Sequence, residues 1–210
     1  MKAFSKISEE WNEYRQTPSK TALLLLKYKR DNSELICDVG CGNGRNSLVL
    51  AKLTKKLICI DSSKEMLDFA RINLKKFDNV EFVNSKMQEI DGIKKNSVDN
   101  ICCFAAFHHL KTKKDRINAL EQFYRILKPQ GRVLLSVWHP KMIIKEKNQM
   151  VNWKKEDGNK IKRYYHFFES AEIKELFEST KFSKVIVFGE INGKEVPIEN
   201  SMNICVIAQK

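Results

Sequence analysis

The sequence predicts an α/β protein built on a doubly wound, mostly parallel sheet. Three observations lead to this prediction. From residue 35 onward, short apolar runs typical of buried strands alternate with amphipathic stretches typical of helices. The connection before the last apolar run is too short for a helical crossover. The 210 residues are 42% hydrophobic, which is enough for a packed core, and no apolar run approaches the roughly 20 residues that span a bilayer.

The first strand is Leu35–Val39, a short apolar run that stops at glycines. Six further strands are predicted at 57–60, 80–84, 98–104, 132–138, 185–189 and 204–208, and helices at 43–55, 62–76, 112–127 and 170–180. The helix after the second strand has Ser62 or Ser63 as its N-cap. Residues 190–203 contain Gly193 and Pro197, so we expect a hairpin-like return and an antiparallel last strand among the seven.

No internal repeat or flexible linker interrupts the chain, so residues 1–210 are expected to form one domain. Residues 1–34 precede the sheet and are expected to be lid helices. Residues 141–163 carry eight basic and three acidic groups, interleaved with apolar residues such as Trp153. We expect this segment to be a basic loop that docks and orders on its substrate.

The whole chain has 38 basic and 26 acidic residues, a net charge of +12. Because residues 164–210 are net acidic, with five basic and seven acidic groups, the positive charge is concentrated on part of the chain. This asymmetry favours a polyanionic partner such as nucleic acid over uniform lysine loading of the surface.

The six cysteines lie mostly inside apolar runs and form no Cys-x-x-Cys pair; they are Cys37, Cys41, Cys59, Cys102, Cys103 and Cys205. This pattern indicates buried thiols in a reducing compartment, with neither a disulfide framework nor a metal site. The first residues lack an apolar signal core, so we expect a cytoplasmic protein.

A glycine-rich turn, Asp38–Gly44, follows the first strand. Gly40 and Gly42 let the backbone turn tightly and approach a ligand, although a plain turn that needs positive φ has the same pattern. Arg45 stands where a dinucleotide fingerprint has its third glycine. The carboxylate of Asp38 disfavours a pyrophosphate but tolerates a ligand with a cationic amino-acid end.

The second strand ends in Asp61, 23 residues after Asp38. A carboxylate at such a strand tip can accept both hydroxyls of a ribose. The alternative role, a helix N-cap, is already supplied by Ser62 or Ser63.

These residues resemble class I S-adenosylmethionine-dependent methyltransferases, over most of the chain. The resemblance implies a seven-stranded Rossmann-like sheet, a glycine loop against the methionine part of the cofactor and Asp61 on its ribose. Lys128–Gly131 is similar to the family's Lys-Pro-Gly-Gly turn. Lys86 replaces an acidic residue that reads adenine, which leaves the backbone N–H and side chain of Met87 for that contact. The expected cofactor residues are Asp38, Gly40, Cys41, Gly42, Asn43, Gly44, Asp61, Ser62, Met87, Phe104 and His109.

Two further motifs concern the methyl acceptor. Phe107-His108-His109-Leu110 follows the fourth strand; either histidine is a candidate general base, only one should face the pocket, and a structural role is the alternative. Arg163–Phe168 alternates aromatic and cationic side chains, which fits base stacking and anion contact, while the start of a buried strand or helix is the alternative.

Together these motifs resemble the tRNA wobble-uridine carboxymethyl methyltransferases, similar to the methyltransferase domain of AlkB-homologue tRNA enzymes. The matching segments are Tyr14-Arg15 with Pro18, Ala106–Leu110 with Thr112 and Arg116, Val137-Trp138, Trp153 with Lys155 and Gly158, and Arg163–Phe167. Ser19 replaces the family's tryptophan.

The resemblance implies esterification of a carboxymethyl group on the wobble uridine, a reaction for which an ionised carboxylate needs no general base. The implied acceptor-site residues are Arg163, His166, Tyr164, Arg15 and His108. The implied partners are the tRNA anticodon stem-loop and a small zinc-binding activator subunit, with no membrane or DNA partner. A small-molecule methyltransferase acting on quinones, sterols or metabolites is the alternative, followed by a non-enzymatic RNA-binding scaffold.

Overall fold

A computed structural model describes residues 2–139 and 146–210. The strands are β1 Leu35–Val39, β2 Lys56–Asp61, β3 Val80–Asn84, β4 Val98–Phe104, β5 Leu127–Trp138, β6 Asn148–Lys154, β7 Lys160–His166, β8 Ser183–Ile191, β9 Lys194–Val196 and β10 Asn203–Gln209. The helices are α1 Lys2–Ser5, α2 Ser8–Tyr14, α3 Lys20–Leu25, α4 Ser47–Leu50, α5 Lys64–Asn73, α6 Lys113–Ile126 and α7 Ser170–Ser179. No helix of the described residues is long and apolar enough to cross a membrane.

The main sheet has the strand order β3-β2-β1-β4-β5-β10-β8-β9. Strands β1 to β5 pair in parallel, and β10 runs antiparallel to both β5 and β8. The predicted doubly wound sheet with an antiparallel last strand is therefore confirmed. Within the described residues the sheet has eight strands instead of the predicted seven, because β9 forms a hairpin with β8 around Asn192-Gly193. Both turn residues have positive φ, 54° and 81°, the backbone of a type I′ hairpin turn.

Helices cover both faces of the sheet. Neighbouring residues of one strand therefore pack against different helices, since their side chains point to opposite faces. On β1, Cys37 and Val39 join a core cluster with residues of α6 and α7. Ile36, on the other face, joins a second cluster with residues of α3 and α5. The strands β1, β2, β4 and β10 are thus largely buried on both sides.

The segment expected to be a basic loop is instead the antiparallel β6–β7 hairpin, which forms a sheet of its own. Residues 141–145 of that predicted loop lie outside the described residues. Along β7, Arg163 and Tyr165 are buried on one face, while Lys160 and Lys162 are exposed on the other. A strand places alternate residues on opposite faces. The many basic residues of this segment mask that alternation in the sequence.

Local sequence signals account for several element boundaries. Thr112 caps α6 through a capping box with Asp115, so that helix begins as predicted. The helix predicted at 43–55 is reduced to α4, since the turn before it uses Gly44 at φ +80°. β5 begins at Leu127, five residues earlier than predicted, and Gln130 adopts φ +63° where the resembling family has glycine.

Candidate functional site

A cavity of about 840 Å³ lies at the carboxyl ends of the parallel strands. Such an edge is where open α/β sheets bind ligands. The glycine turn and the tips of β2, β4 and β5 line the cavity from below, and residues of α2 and the β6–β7 hairpin line it from above. One cavity therefore joins the predicted cofactor loop to the predicted acceptor motifs.

Gly40 shapes the wall of this cavity. Its φ of +74° suits glycine, and a Cβ added there would lie 2.4 Å from the Cβ of Ala106. The Gly40 N–H donates to the carbonyl of Ile60 at 2.7 Å, which ties the turn to β2. The turn therefore needs both the backbone freedom and the small volume of glycine at this position.

Asp61 connects the tip of β2 to the same turn. Its carboxylate accepts the N–H of Gly42 and the N–H of Ser63, each at 2.9 Å. Burial raises its pKa, which these backbone donors oppose. A carboxylate has about four acceptor positions, so Asp61 keeps capacity for hydroxyl donors of a ligand in the cavity.

Asn43 is fully buried beside the cavity. Its amide nitrogen donates to the side-chain oxygen of Asn12 at 3.0 Å and to the carbonyl of Arg15 at 2.9 Å, which ties the turn to the N-terminal helices. Its side-chain oxygen has no hydrogen-bond partner among the described residues. Asn43 thus presents an acceptor for a donor group that the protein does not supply.

Two predicted cofactor residues stand behind the cavity wall, which corrects their assignment. Asp38 is 2% exposed and accepts a 2.6 Å hydrogen bond from the Ser47 hydroxyl. Burial raises the pKa of Asp38 to about 7. Gly44 packs against Ala70 and Leu74 of α5. Both residues fix the turn from below, and neither lines the cavity.

The other predicted cofactor residues do line the cavity: Gly40, Cys41, Gly42, Asn43, Asp61, Ser62, Met87, Phe104 and His109. All six cysteines are buried free thiols. Within the described ranges, no group of three or more His, Cys, Asp or Glu side chains is arranged to hold a metal ion.

His108 and His109 both line the cavity, so the expectation that only one would face it is wrong. They lie in a short 3₁₀ turn, where their rings meet edge to face at 4.3 Å instead of diverging as on a strand. The Trp138 N–H donates to His108 Nδ1 at 3.1 Å, and His109 Nδ1 lies 2.8 Å from the Tyr164 carbonyl. Burial lowers the pKa of His108 far below its usual range and that of His109 to about 4, so both rings are neutral near pH 7.

Arg163 lies in an aromatic enclosure on the upper wall of the cavity. Its guanidinium is 5.1 Å from the ring centre of Trp153 and 5.3 Å from that of Tyr165. The residue is 8% exposed, and its Nε has no hydrogen-bond partner in the described part of the chain. Among the described residues no carboxylate lies within 4.0 Å of this cation, so its charge is uncompensated.

Tyr164 and His166 face away from the cavity, which corrects their assignment to the acceptor site. Both lie on the face of β7 opposite to Arg163, because side chains alternate along a strand. The Tyr164 hydroxyl donates to the Lys111 carbonyl at 3.0 Å, and His166 contacts Glu172 at 2.7 Å. They anchor the hairpin to the residues just before α6 and to α7. Tyr165, stacked on His108 at 4.8 Å, takes the cavity position instead.

The N-terminal helices pack against the hairpin beside the cavity. Trp11 packs against Trp153 at 5.5 Å, and the Trp153 indole N–H donates to Glu10 at 2.8 Å. Arg15 is exposed, lines the cavity and lies 5.5 Å from the ring of Trp11. The acceptor-site role that the resemblance implies for Arg15 stays a prediction.

Phe4, Glu190 and Asn203 also line the cavity, and the sequence interpretation missed them. Glu190 follows an apolar run as Asp61 does, so a strand-tip carboxylate was a usable signal for it. Phe4 and Asn203 carried no local signal, since only tertiary packing brings them to the cavity.

Residues 36–131 match the family model of a methyltransferase domain. These residues are similar to class I S-adenosylmethionine-dependent methyltransferases. The fold of the chain agrees with a solved DhpI–SAM–HEP complex at a TM-score of 0.75, with 16% identity over 99% of this chain and 94% of that one.

Two curated methyltransferases are among the relatives that match this chain. The chain is 34% identical to the putative methyltransferase YqeM of Bacillus subtilis, over 49% of this chain and 41% of that protein. It is 28% identical to the tRNA (carboxymethyluridine(34)-5-O)-methyltransferase ALKBH8 of Macaca fascicularis, over 64% of this chain and 19% of that protein. The chain thus spans less than half the length of either relative.

The cofactor of this domain is S-adenosylmethionine, and the residues present fit it. Asp61 offers acceptors for the ribose hydroxyls, the bare backbone of Gly40 and Gly42 admits a close ligand, and the unpartnered oxygen of Asn43 suits an ammonium donor. The cofactor supplies a methyl group on a sulfonium, which is an electrophile for an oxygen or nitrogen acceptor. Lys86 forms an ion pair with Glu89 at 2.9 Å, so its ammonium is engaged beside the cavity.

Proposed function

We propose that this methyltransferase esterifies the carboxylate of a carboxymethyl group on the wobble uridine of tRNA. The observation that carries the proposal is the buried, uncompensated guanidinium of Arg163 on the cavity wall. An isolated buried charge is strongly unfavourable, so an arginine held in this way indicates a missing anionic partner. A carboxylate matches the planar fork of a guanidinium with two parallel hydrogen bonds.

The charges around the cavity support an anionic acceptor. Its lining holds more cations, Arg15, Lys20, Arg45, Lys86, Lys111 and Arg163, than carboxylates, Asp61, Asp115 and Glu190. The excess of positive charge in a partly enclosed space raises the local concentration of anions. This balance favours a carboxylate or phosphate over a neutral acceptor.

The groups around the cavity fit a transfer that needs no proton removal. A carboxylate is already ionised near pH 7, so its oxygen attacks the methyl carbon directly: an O–CH₃ bond forms, the S–CH₃ bond breaks and its electron pair stays on sulfur. The neutral rings of His108 and His109 add no competing positive charge to the cavity. Arg163 and the aromatic walls then orient the acceptor and exclude water, which is a large part of catalysis in such reactions.

The outer face of the β6–β7 hairpin supports an RNA substrate. Lys154, Lys160 and Lys162 are exposed there, and within the described residues none of them forms an ion pair. Exposed Lys111, two residues before α6, accepts a hydrogen bond from the Tyr164 hydroxyl through its carbonyl and so adjoins this face. Lysines without an ion-pair partner can neutralise phosphates, which releases the counterions of the nucleic acid. ALKBH8, to which the chain is similar, is itself named as a tRNA methyltransferase.

We also propose a small zinc-binding activator subunit as a partner, on the resemblance to the tRNA methyltransferase family. The strand order leaves β3 at one edge of the sheet. Ile72 of the neighbouring α5 is 61% exposed, and Val80 and Phe82 of β3 are only half-buried. Co-expression tests this partner: a stable 1:1 complex lost on Ile72→Glu and Phe82→Glu substitution supports it, and the absence of any complex contradicts it.

The deciding experiment is incubation of the protein with labelled S-adenosylmethionine and tRNA that carries or lacks the carboxymethyl group, with and without the activator. Nucleoside mass spectrometry should show one added methyl group on carboxymethyluridine only. Because an ester is formed, mild alkali should release that methyl group as methanol. A label that resists alkali, or that enters unmodified tRNA equally well, would contradict the proposal. We also propose a cytoplasmic site of action.

A small-molecule carboxylate or metabolite is the second candidate acceptor, favoured by the aromatic enclosure of Trp11, Trp153 and Tyr165. Salt separates the two candidates. Activity on tRNA should fall steeply as salt rises because counterions are released on binding, whereas activity on a small acceptor should change little.

A further inference from the structure

Glu190 is a second buried charge on the cavity wall, at the carboxyl end of β8. It is 1% exposed. One carboxylate oxygen accepts hydrogen bonds from the Thr21 hydroxyl and the Asn203 amide, each at 2.8 Å, and the other accepts the N–H of Gly193. These donors hold the carboxylate in one orientation.

The carboxylate of Glu190 retains an unused acceptor position. It offers about four lone-pair directions, of which the three donors take three. No lysine, arginine or histidine nitrogen of the described residues lies within 4.0 Å of it, so no ion pair compensates its charge. A buried carboxylate with spare capacity on a cavity wall indicates a donor group in the ligand.

The sheet order separates Glu190 from the cofactor half of the cavity. Asp61 ends β2 and Glu190 lies on β8, five strand spacings away. At about 4.8 Å per spacing the two strands are roughly 24 Å apart. Asn203, the first residue of β10, and Met202, just before it, line the cavity beside Glu190. A ligand group that donates a hydrogen bond to Glu190 therefore belongs to the methyl acceptor. It does not belong to the ribose that Asp61 is suited to hold.

We propose that Glu190 accepts the ring N3–H of the acceptor uracil, so that the base is selected by Glu190 while its carboxymethyl group is held by Arg163. This inference rests on the proposed function. A uracil nucleoside has a single ring N–H, at N3, whereas a cytosine has an acceptor lone pair there. A cytosine would set its lone pair against the carboxylate and leave Glu190 unsatisfied, which makes the site selective for uridine.

The test uses anticodon stem-loops with three wobble nucleosides: carboxymethyluridine, its N3-methyl derivative and carboxymethylcytidine. With the wild-type protein, we expect kcat/KM to fall by about 10- to 100-fold on the second and third substrates, mainly through KM. Equal rates on all three would overturn the assignment of Glu190. Failure to methylate even carboxymethyluridine would overturn the proposed function, and this inference with it.

A substitution separates hydrogen bonding from the bulk of the added methyl group. In Glu190→Met the penalty of the N3-methyl substrate should shrink to less than about 3-fold, since no hydrogen bond remains to be lost. A penalty that persists unchanged in this variant would be steric and would overturn the assignment. Thr21→Val is the matched control: it removes one donor to Glu190 but keeps the carboxylate, so it should keep the wild-type selectivity. Thermal unfolding and cofactor affinity show whether each variant is folded. The comparison of the three substrates with the wild-type protein does not depend on either variant.

Discussion

The glycine turn requires glycine at position 40 for two reasons. The φ of Gly40 is positive, and a Cβ at this position would collide with Ala106. We predict that Gly40→Ala destabilises the protein by about 1–3 kcal/mol and weakens cofactor binding by at least about 10-fold. Calorimetric titration and thermal unfolding measure the two effects. Gly92→Ala is a matched control, since Gly92 has a similar φ of +75° but open space around its Cβ position. Equal losses in both variants would mean that backbone strain alone is responsible.

Asp38 gives the fold a pH dependence of known sign. Burial raises its folded-state pKa to about 7, above the ordinary value of 3.8. Between those values the unfolded chain releases the proton while the folded chain keeps it, so this group's contribution to stability is lost as pH rises from about 4 to 7.

Asp38→Asn removes this titration and keeps an oxygen acceptor for Ser47. The unfolding free energy of the variant relative to wild type should therefore increase by about 1 kcal/mol or more from pH 4 to pH 7 and level off above. Chemical denaturation across this range measures it. A difference that does not change with pH would show that Asp38 is ionised in the fold at all these pH values.

Among the elements, the β6–β7 hairpin has two faces with different roles. Arg163 lies on its inner face, toward the cavity, and lysines are exposed on its outer face. We predict that replacing Lys154, Lys160 and Lys162 together by glutamine weakens tRNA binding and reduces the slope of log K against log salt by up to about 2–3. Lys181, Lys184 and Lys194, which are also exposed and form no ion pair among the described residues, make the matched control set; they lie just after α7, on β8 and on β9. Filter binding at several salt concentrations distinguishes them, and an equal effect of both sets would argue against a hairpin footprint.

The elements also differ in how far the sequence predicts them. Buried parallel strands such as Leu35–Val39 are continuous apolar runs, so local composition identifies them. The β6–β7 hairpin is half exposed and rich in lysine, so its alternation is masked by charge. The short β9 was not among the predicted strands, although Asn192-Gly193 is a typical hairpin-turn pair. At the site, the glycine turn and Asp61 were predictable from position on the chain. Asp38 and Tyr164 were misplaced, since the direction of a side chain depends on the pairing of its strand.

In the whole molecule, the sheet order divides one cavity into two halves. Strands β1 and β2 bring the glycine turn and Asp61 to the half that fits the cofactor, and β5, β10 and β8 bring Trp138, Asn203 and Glu190 to the half that we propose for the acceptor. The hairpin and the N-terminal helices cover both halves and place Arg163 above them. The net charge of +12 then has a local meaning, because unpaired lysines lie on the hairpin that covers the cavity while residues 164–210 are net acidic.

The most direct test of the account is the effect of Arg163→Ala on cofactor binding and on tRNA methylation, measured on the same preparation. The account predicts a cofactor Kd within about 2-fold of wild type and a fall in kcat/KM on carboxymethylated tRNA of about 100-fold or more, the usual consequence of removing one partner of a buried charge pair. Unfolding curves establish that the variant is folded. Full activity of Arg163→Ala on carboxymethylated tRNA would contradict the assignment of this arginine to the acceptor carboxylate.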